Sequence, residues 1–256
     1  MQQRKRPSWF TNYSKNSGAP YRLFTFPFAG GGAAIYRKWP ERFSNVEVLA
    51  ALLPGREGRI GEPALTSMET MLQQLVPAIA PLLDRPYVFF GHSMGALIAF
   101  ELTRRLARDG LRCPECLFVS AFRSPDRPSR NRILHPLSDR EFVRELTTYG
   151  GIPAQVLEMP ELLELMVPTL RADFSVLETY RFVPAEPVAS PIVAFCGTQD
   201  DVATRQEMLD WRDKTSAEFF LHDLQGDHFF LQSAEVALLD LVNKNMVQRE
   251  TFRVHP

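Results

Sequence analysis

Tyr87-Val88-Phe89-Phe90-Gly91-His92-Ser93-Met94-Gly95 is a short apolar run that enters a Gly-x-Ser-x-Gly turn, and Ala96-Leu97-Ile98-Ala99-Phe100-Glu101-Leu102 follows it with helix-compatible character. A strand that turns sharply into a helix through such a motif is a nucleophile elbow. The serine takes a strained conformation with its hydroxyl above the sheet, and glycines on either side let the helix come close. Ser93 is therefore the candidate nucleophile. The competing reading, a plain strand-to-helix turn, explains the glycines and leaves the serine without a task.

A serine at its own pKa is a poor nucleophile, so the reading needs a histidine base and an acid to orient it, both at later strand ends. His92 lies inside the elbow, His135 falls in a Pro- and Arg-rich loop, and His255 is next to the last residue. His222 closes the apolar run Phe219-Phe220-Leu221 and belongs to a strand. His228 sits beyond it in Gln225-Gly226-Asp227-His228-Phe229-Phe230, a Gly-containing loop ahead of a helix, where a base belongs. For the acid, Pro191-Ile192-Val193-Ala194-Phe195-Cys196 reads as a buried strand ending in Gly197-Thr198-Gln199-Asp200-Asp201. Asp200 is the choice and Asp201 the alternative, because spacing alone does not separate neighbours on a loop. The chain order Ser93, Asp200, His228 is that of an α/β-hydrolase fold and differs from the trypsin and subtilisin orders.

Acyl transfer also needs backbone N–H groups aimed at the developing oxyanion. Met94, immediately after the nucleophile, supplies one. The second is expected from Leu23-Phe24-Thr25-Phe26-Pro27-Phe28-Ala29-Gly30-Gly31-Gly32, an apolar strand ending in a glycine turn, with Ala29 as the first choice and Gly30 next. No Gly-Lys-Ser/Thr follows these glycines, which removes a P-loop, and no G-x-G-x-x-G spacing exists, which removes a dinucleotide site.

At 256 residues with 45% hydrophobic content and a net charge of −1, the chain has the length for one α/β domain and no charge bias toward nucleic acid. Arg4-Lys5-Arg6 precedes no apolar h-region and no stretch approaches bilayer length, so a cytoplasmic monomer with a frayed start and no membrane partner is expected. Cys113-Pro114-Glu115-Cys116 has metal or redox spacing but lacks a second pair, and reads as two ordinary thiols. No metal or cofactor is expected. Strands are expected at 21–27, 46–52, 86–90, 116–121, 191–196 and 218–222, with helices between most of them, which gives a largely parallel sheet. A helix opens at Thr66-Ser67-Met68-Glu69 and carries Leu72, Leu75, Val76, Ile79, Leu82 and Leu83 on one side.

One interval breaks the alternation. From about 136 to 183 no strand is readable; Ser138-Asp139-Arg140-Glu141 opens a helix, Gly150-Gly151-Ile152-Pro153 ends it, and two more helical stretches run through Tyr180. A helical lid over Ser93, within a single domain spanning 1–256, is the expectation. Leu162, Leu163, Leu165, Met166, Leu170, Phe174 and Leu177 exceed what one packed face needs, so an acyl pocket under the lid competes with plain packing.

Phe26-Pro27-Phe28-Ala29-Gly30-Gly31-Gly32, Pro54-Gly55-Arg56-Glu57-Gly58-Arg59, the elbow, Pro168-Thr169-Leu170-Arg171-Ala172-Asp173-Phe174 with Glu178-Thr179-Tyr180, and Gly226-Asp227-His228-Phe229-Phe230 span almost the whole chain. Together they resemble the stand-alone type II thioesterases of non-ribosomal peptide and polyketide synthesis. The resemblance implies hydrolysis of acyl or aminoacyl groups from the phosphopantetheine arm of carrier proteins, clearing mis-primed or stalled modules. Two departures stand out: Phe28 where the family commonly has His, and Asp200-Asp201-Val202 as an unusual spelling of the acid loop. Arg123, Arg127, Arg130 and Arg132, just before the lid, are candidates for docking an acidic carrier, against a solvated loop. A small-molecule carboxylesterase and a non-catalytic binding protein on the same scaffold are the rival readings.

Overall fold

The six apolar runs become Tyr21–Phe26 (β2), Val46–Ala51 (β3), Tyr87–His92 (β4), Leu117–Ser120 (β5), Ile192–Gly197 (β6) and Phe219–Leu224 (β7). They are seen in a computed structural model that describes residues 8–14, 18–130, 132–148 and 159–254. Arg4-Lys5-Arg6 fall outside the described residues, and a seventh strand, Phe10–Asn12 (β1), lies ahead of the first expected one. It pairs antiparallel with β3, and three residues are too few for a periodicity to register. The sheet order is β1-β3-β2-β4-β5-β6-β7, and every pair other than β1–β3 is parallel.

Parallel strands covered on both faces read as continuous apolar runs, and β4 is buried at all six positions. One face of the sheet packs against the helices Met68–Ile79 (α1) and Met94–Arg108 (α2). Tyr36, Trp39 and residues Leu238, Leu239 and Val242 of a late helix cover the other. On α1, Leu72, Leu75 and Ile79 are buried as the spacing predicts, but the cap lies one residue later than the Thr66–Glu69 pattern. Ser67 Oγ accepts from Thr70 N–H at 3.3 Å. Chain direction across the sheet reverses between β2 and β4, so the loops leaving the carboxyl ends of neighbouring strands part there and open a crevice.

Between β5 and β6 lie Asp139–Thr148 (α3) and Pro160–Thr179 (α4). Ser138 and Glu141 cap α3 reciprocally. Gly150-Gly151-Ile152-Pro153 and the stretch up to 158 lie outside the described residues. The remainder is one continuous helix of 20 residues, with Pro168 inside it. Leu134, Phe142, Leu146, Val167 and Leu170 form a separate small core between α3 and α4. Arg171 fastens it, donating to the carbonyls of His135 and Leu137 and to Asp139 while its guanidinium lies 4.5 Å from the Phe142 ring centre. Among the described residues no helix is long and apolar enough to cross a membrane.

Candidate active site

Ser93 follows β4 with φ 53° and ψ −118°, a conformation that L-residues hold only under constraint. The constraint is local. A Cβ on Gly91 would lie 2.0 Å from the Gly95 carbonyl oxygen, and one on Gly95 would lie 2.0 Å from that of Phe26. Only glycine lets α2 start this close to β2 and β4. Ser93 N–H donates to Ser120 C=O on the neighbouring strand at 2.8 Å, which fixes the turn from the other side.

His228 comes from the loop between β7 and a short helix, Phe230–Ser233 (α5). Its Nε2 is 3.1 Å from Ser93 Oγ, and its Nδ1 is 2.9 Å from Asp200 Oδ2. Asp200 is buried; its Oδ1 accepts from Val202 N–H at 2.8 Å and Ala203 N–H at 3.0 Å. Burial pushes the Asp200 carboxyl up, but the His228 hydrogen bond and charge and the two backbone donors outweigh it and hold the group below the ordinary carboxylate value. An ionised Asp200 selects the His228 tautomer with hydrogen on Nδ1, leaving Nε2 to accept the serine proton. The acid and base loops are stitched together, Thr198 N–H donating to Leu224 C=O and Gln199 N–H to Gly226 C=O. Asp201, the alternative acid, is exposed. The structure thus brings Ser93, Asp200 and His228 into one hydrogen-bonded line and leaves Asp201 outside it.

Sequence reasoning set His92 aside, yet its buried ring joins two parts of this site. Nε2 lies 2.8 Å from the His228 carbonyl oxygen and Nδ1 2.8 Å from Ser120 Oγ. A carbonyl only accepts, so Nε2 carries the hydrogen and Nδ1 accepts from the Ser120 hydroxyl. Burial first, then the adjacent His228, push His92 down to about 3, and the ring is neutral at physiological pH. Its place inside Gly-His-Ser is visible in the sequence, but the carbonyl it reaches is 136 residues away.

Met94 opens α2, so its N–H has no acceptor within the helix and is available to a ligand. Ala29 lines the same cavity as Ser93. Gly30, the second choice for the other donor, is committed elsewhere, because its N–H donates to Asp173 Oδ2 at 2.7 Å. Residues 28–34 sit in a cradle whose purpose sequence reasoning did not identify. Arg56 donates to Gly31 C=O at 2.8 Å and grips Asp173 with two bonds, at 2.9 and 2.7 Å. The next residue, Glu57, accepts from Ala33 N–H at 3.2 Å and Ala34 N–H at 2.9 Å. The Pro-Gly-Arg-Glu-Gly-Arg stretch is therefore a clamp on the glycine loop.

The cavity above Ser93 has a volume of about 130 Å³ and apolar walls that include Phe28, Leu134, Leu146, Leu170, Phe174 and Leu177. Three of the seven insertion side chains singled out in the sequence face it: Leu170, Phe174 and Leu177. Leu163 and Met166 pack in the small core instead, Leu162 is half-buried, and Leu165 is exposed. Glu178, also on the cavity, is occupied in holding the Leu134 and His135 N–H groups. The arginines divide. Arg123 and Arg132 line the cavity, whereas Arg127 pairs with Asp210 at 2.8 Å and Arg130 with Glu207 at 2.9 Å. Arg132 has Glu145 at 3.3 Å, and burial lowers the pKa of Arg123. The four do not form an unneutralised patch. All three cysteines are free thiols. Among the described residues no group of His, Cys, Asp and Glu is placed to hold a metal.

A family model described as a thioesterase domain matches residues 21–246. The chain is 39% identical over 239 residues to the gramicidin S biosynthesis protein GrsT of Aneurinibacillus migulanus, covering 93% of each. It is 37% identical to thioesterase PikA5 of Streptomyces venezuelae, covering 87% of this chain and 80% of that one. Among solved structures, the type II thioesterase BorB from the borrelidin biosynthetic cluster superposes with a TM-score of 0.84 at 34% identity, covering 93% of this chain and 98% of that one.

Proposed function

This chain belongs to the thioesterase domain family, and on that premise we propose that Ser93, Asp200 and His228 are the triad of a type II thioesterase. It hydrolyses acyl or aminoacyl thioesters on the phosphopantetheine arm of carrier proteins, an editing role in non-ribosomal peptide or polyketide synthesis. It does so as a cytoplasmic monomer, one α/β-hydrolase domain over 1–256 with residues 136–183 as its helical lid. The observation that carries the reading is the continuous line from Ser93 Oγ through His228 to Asp200, opening into an apolar cavity.

The steps follow from that line. His228 Nε2 takes the Ser93 proton as Oγ attacks the thioester carbonyl, and Asp200 stabilises the resulting imidazolium. The N–H groups of Met94 and Ala29 receive the oxyanion. His228 returns the proton to the departing pantetheine sulfur, leaving an acyl-serine. Water, deprotonated by the same histidine, attacks that ester, and collapse of the second tetrahedral intermediate restores Ser93. The apolar walls suit an acyl chain. A small-molecule esterase would use the same pocket, so carrier dependence is what separates the two readings.

Mass spectrometry of a panel of acyl- and aminoacyl-loaded carrier proteins, with and without the enzyme, tests the proposal. Release from loaded carriers well above the turnover of p-nitrophenyl esters is expected. Equal rates without carrier preference would instead identify a small-molecule carboxylesterase, and absent fluorophosphonate labelling of the native chain would identify a non-catalytic protein.

A further inference from the structure

The loop that carries Ala29 is built almost entirely of residues that cannot hold themselves in place. Gly30, Gly31 and Gly32 follow one another, and Gly30 takes φ +77°. Its one internal bond is Gly31 N–H to Phe28 C=O at 2.9 Å, a turn that leaves the N–H of Ala29 outside it. Everything else that fixes the loop arrives from far away in the chain. Asp173, on α4, accepts from Gly30 N–H and is fully buried, and its carboxylate is held by Arg56, which also donates to Gly31 C=O. The same helix adds Thr169 Oγ1–H to Gly55 C=O at 2.7 Å and lays Leu170 over Gly30, where a Cβ would come within 2.4 Å of it.

We propose that Asp173 is a positioning residue for the oxyanion-binding N–H of Ala29, so that the hole is complete only while α4 is docked on the glycine loop. The inference rests on the thioesterase reading above for the role of Ala29. The Asp173–Gly30 bond fixes the plane of the Ala29–Gly30 peptide, and the Arg56–Gly31 bond fixes the next but one. The Ala29 N–H lies in the Phe28–Ala29 peptide, whose C=O accepts from Gly31 N–H, so holding the two later planes holds that turn and with it the direction of the Ala29 N–H. It follows that α4 is docked on the glycine loop when the tetrahedral intermediate forms, so that the lid contributes rigidity at its cavity end to that step.

Donors that act only on the tetrahedral intermediate change kcat and leave KM alone when they are displaced. Asp173→Ala is expected to lower kcat about 10- to 100-fold with KM within about threefold, less than the loss of a whole donor because the Ala29 N–H is displaced and not removed. A boronic acid that forms a tetrahedral adduct with Ser93 should lose affinity by the same factor. Ser175→Ala, which removes the hydrogen bond from this α4 residue to Thr66 C=O and leaves the Arg56–Asp173 clamp untouched, should lower the melting temperature yet keep kcat and boronate affinity within about twofold. Should Asp173→Ala not fold, Asp173→Asn, checked by near-ultraviolet circular dichroism, keeps one acceptor oxygen and weakens the Arg56 pair. About three- to tenfold is then expected in kcat and boronate affinity alike. The proposal is overturned if kcat falls in both the Asp173 and Ser175 variants in proportion to their melting temperatures, if KM rises while kcat holds, or if Asp173→Asn is indistinguishable from the native chain. All rates are read on a p-nitrophenyl ester and the boronate needs no turnover, so absence of carrier hydrolysis would count against the carrier assignment and not against Asp173.

Discussion

Two backbone turns meet at the cavity above Ser93, the elbow at 91–95 and the glycine loop at 28–32, and they are held by opposite means. The elbow is fixed by its own sequence: glycines on both sides of Ser93 where any Cβ would strike backbone, and one hydrogen bond to the adjacent strand. The glycine loop has no such grip, and depends on Arg56 and Glu57 from the loop after β3 and on Asp173 from an inserted helix, 143 residues from the Gly30 it holds. Local strain can be carried by a motif. A flexible loop needs partners, and the partners make its geometry sensitive to distant packing.

The largest expected effect separates chemistry from scaffold at the elbow. Because the glycines and not the serine side chain set the turn, Ser93→Ala should lose about 10⁵- to 10⁶-fold in kcat and all fluorophosphonate labelling, with its melting temperature unchanged within a few degrees. A large drop in stability would show that the elbow leans on the hydroxyl after all. Next in size is the acid loop, which resembles the glycine loop in being tied to another segment. Asp200→Asn should lose about 10³- to 10⁴-fold in kcat through the wrong His228 tautomer, while Asp201→Asn stays within about twofold. Steady-state kinetics on one substrate compares them, and the reverse ranking would move the acid to Asp201.

The smallest effect is one of linkage, and it joins the elbow to the base loop. His92 is neutral in the fold down to about 3, whereas in the unfolded chain it titrates near 6.5. Between those values the unfolded state binds the extra proton, so stability is complete above about pH 6.5 and falls as the solution is acidified. About 2 kcal/mol should be lost between pH 6.5 and 5 from this group. Thermal midpoints measured across that range should flatten in His92→Asn. An unchanged slope would mean that protonation of His92 is not what destabilises the fold in acid.

Much of this was legible in the chain. Of the seven strands among the described residues, five could be read because a parallel strand buried on both faces is largely apolar, β7 at the edge was read from Phe219-Phe220-Leu221, and β1 escaped because three residues on an edge carry no pattern. Ser93, Asp200 and His228 could be placed at strand ends because each follows or precedes an apolar run. The arginines before the insertion read as one basic cluster, since the acids that pair with Arg127, Arg130 and Arg132 lie 83, 77 and 13 residues further on. The clamp of Arg56, Glu57 and Asp173 was present as letters without a reason. A charged side chain in a loop looks solvated until the carboxylate that buries it is known.

The sequence by itself determined the sheet, the elbow and the order of the proposed triad, because these depend on periodicity and on steric needs that act within a few residues. Tertiary structure alone decided that Asp200 and not Asp201 reaches His228, that Gly30 is spoken for and Ala29 is not, and that an inserted helix grips the glycine loop. Those outcomes rest on hydrogen bonds a few ångströms long between segments up to 143 residues apart, and no local pattern records which donors and acceptors the fold will bring within that reach.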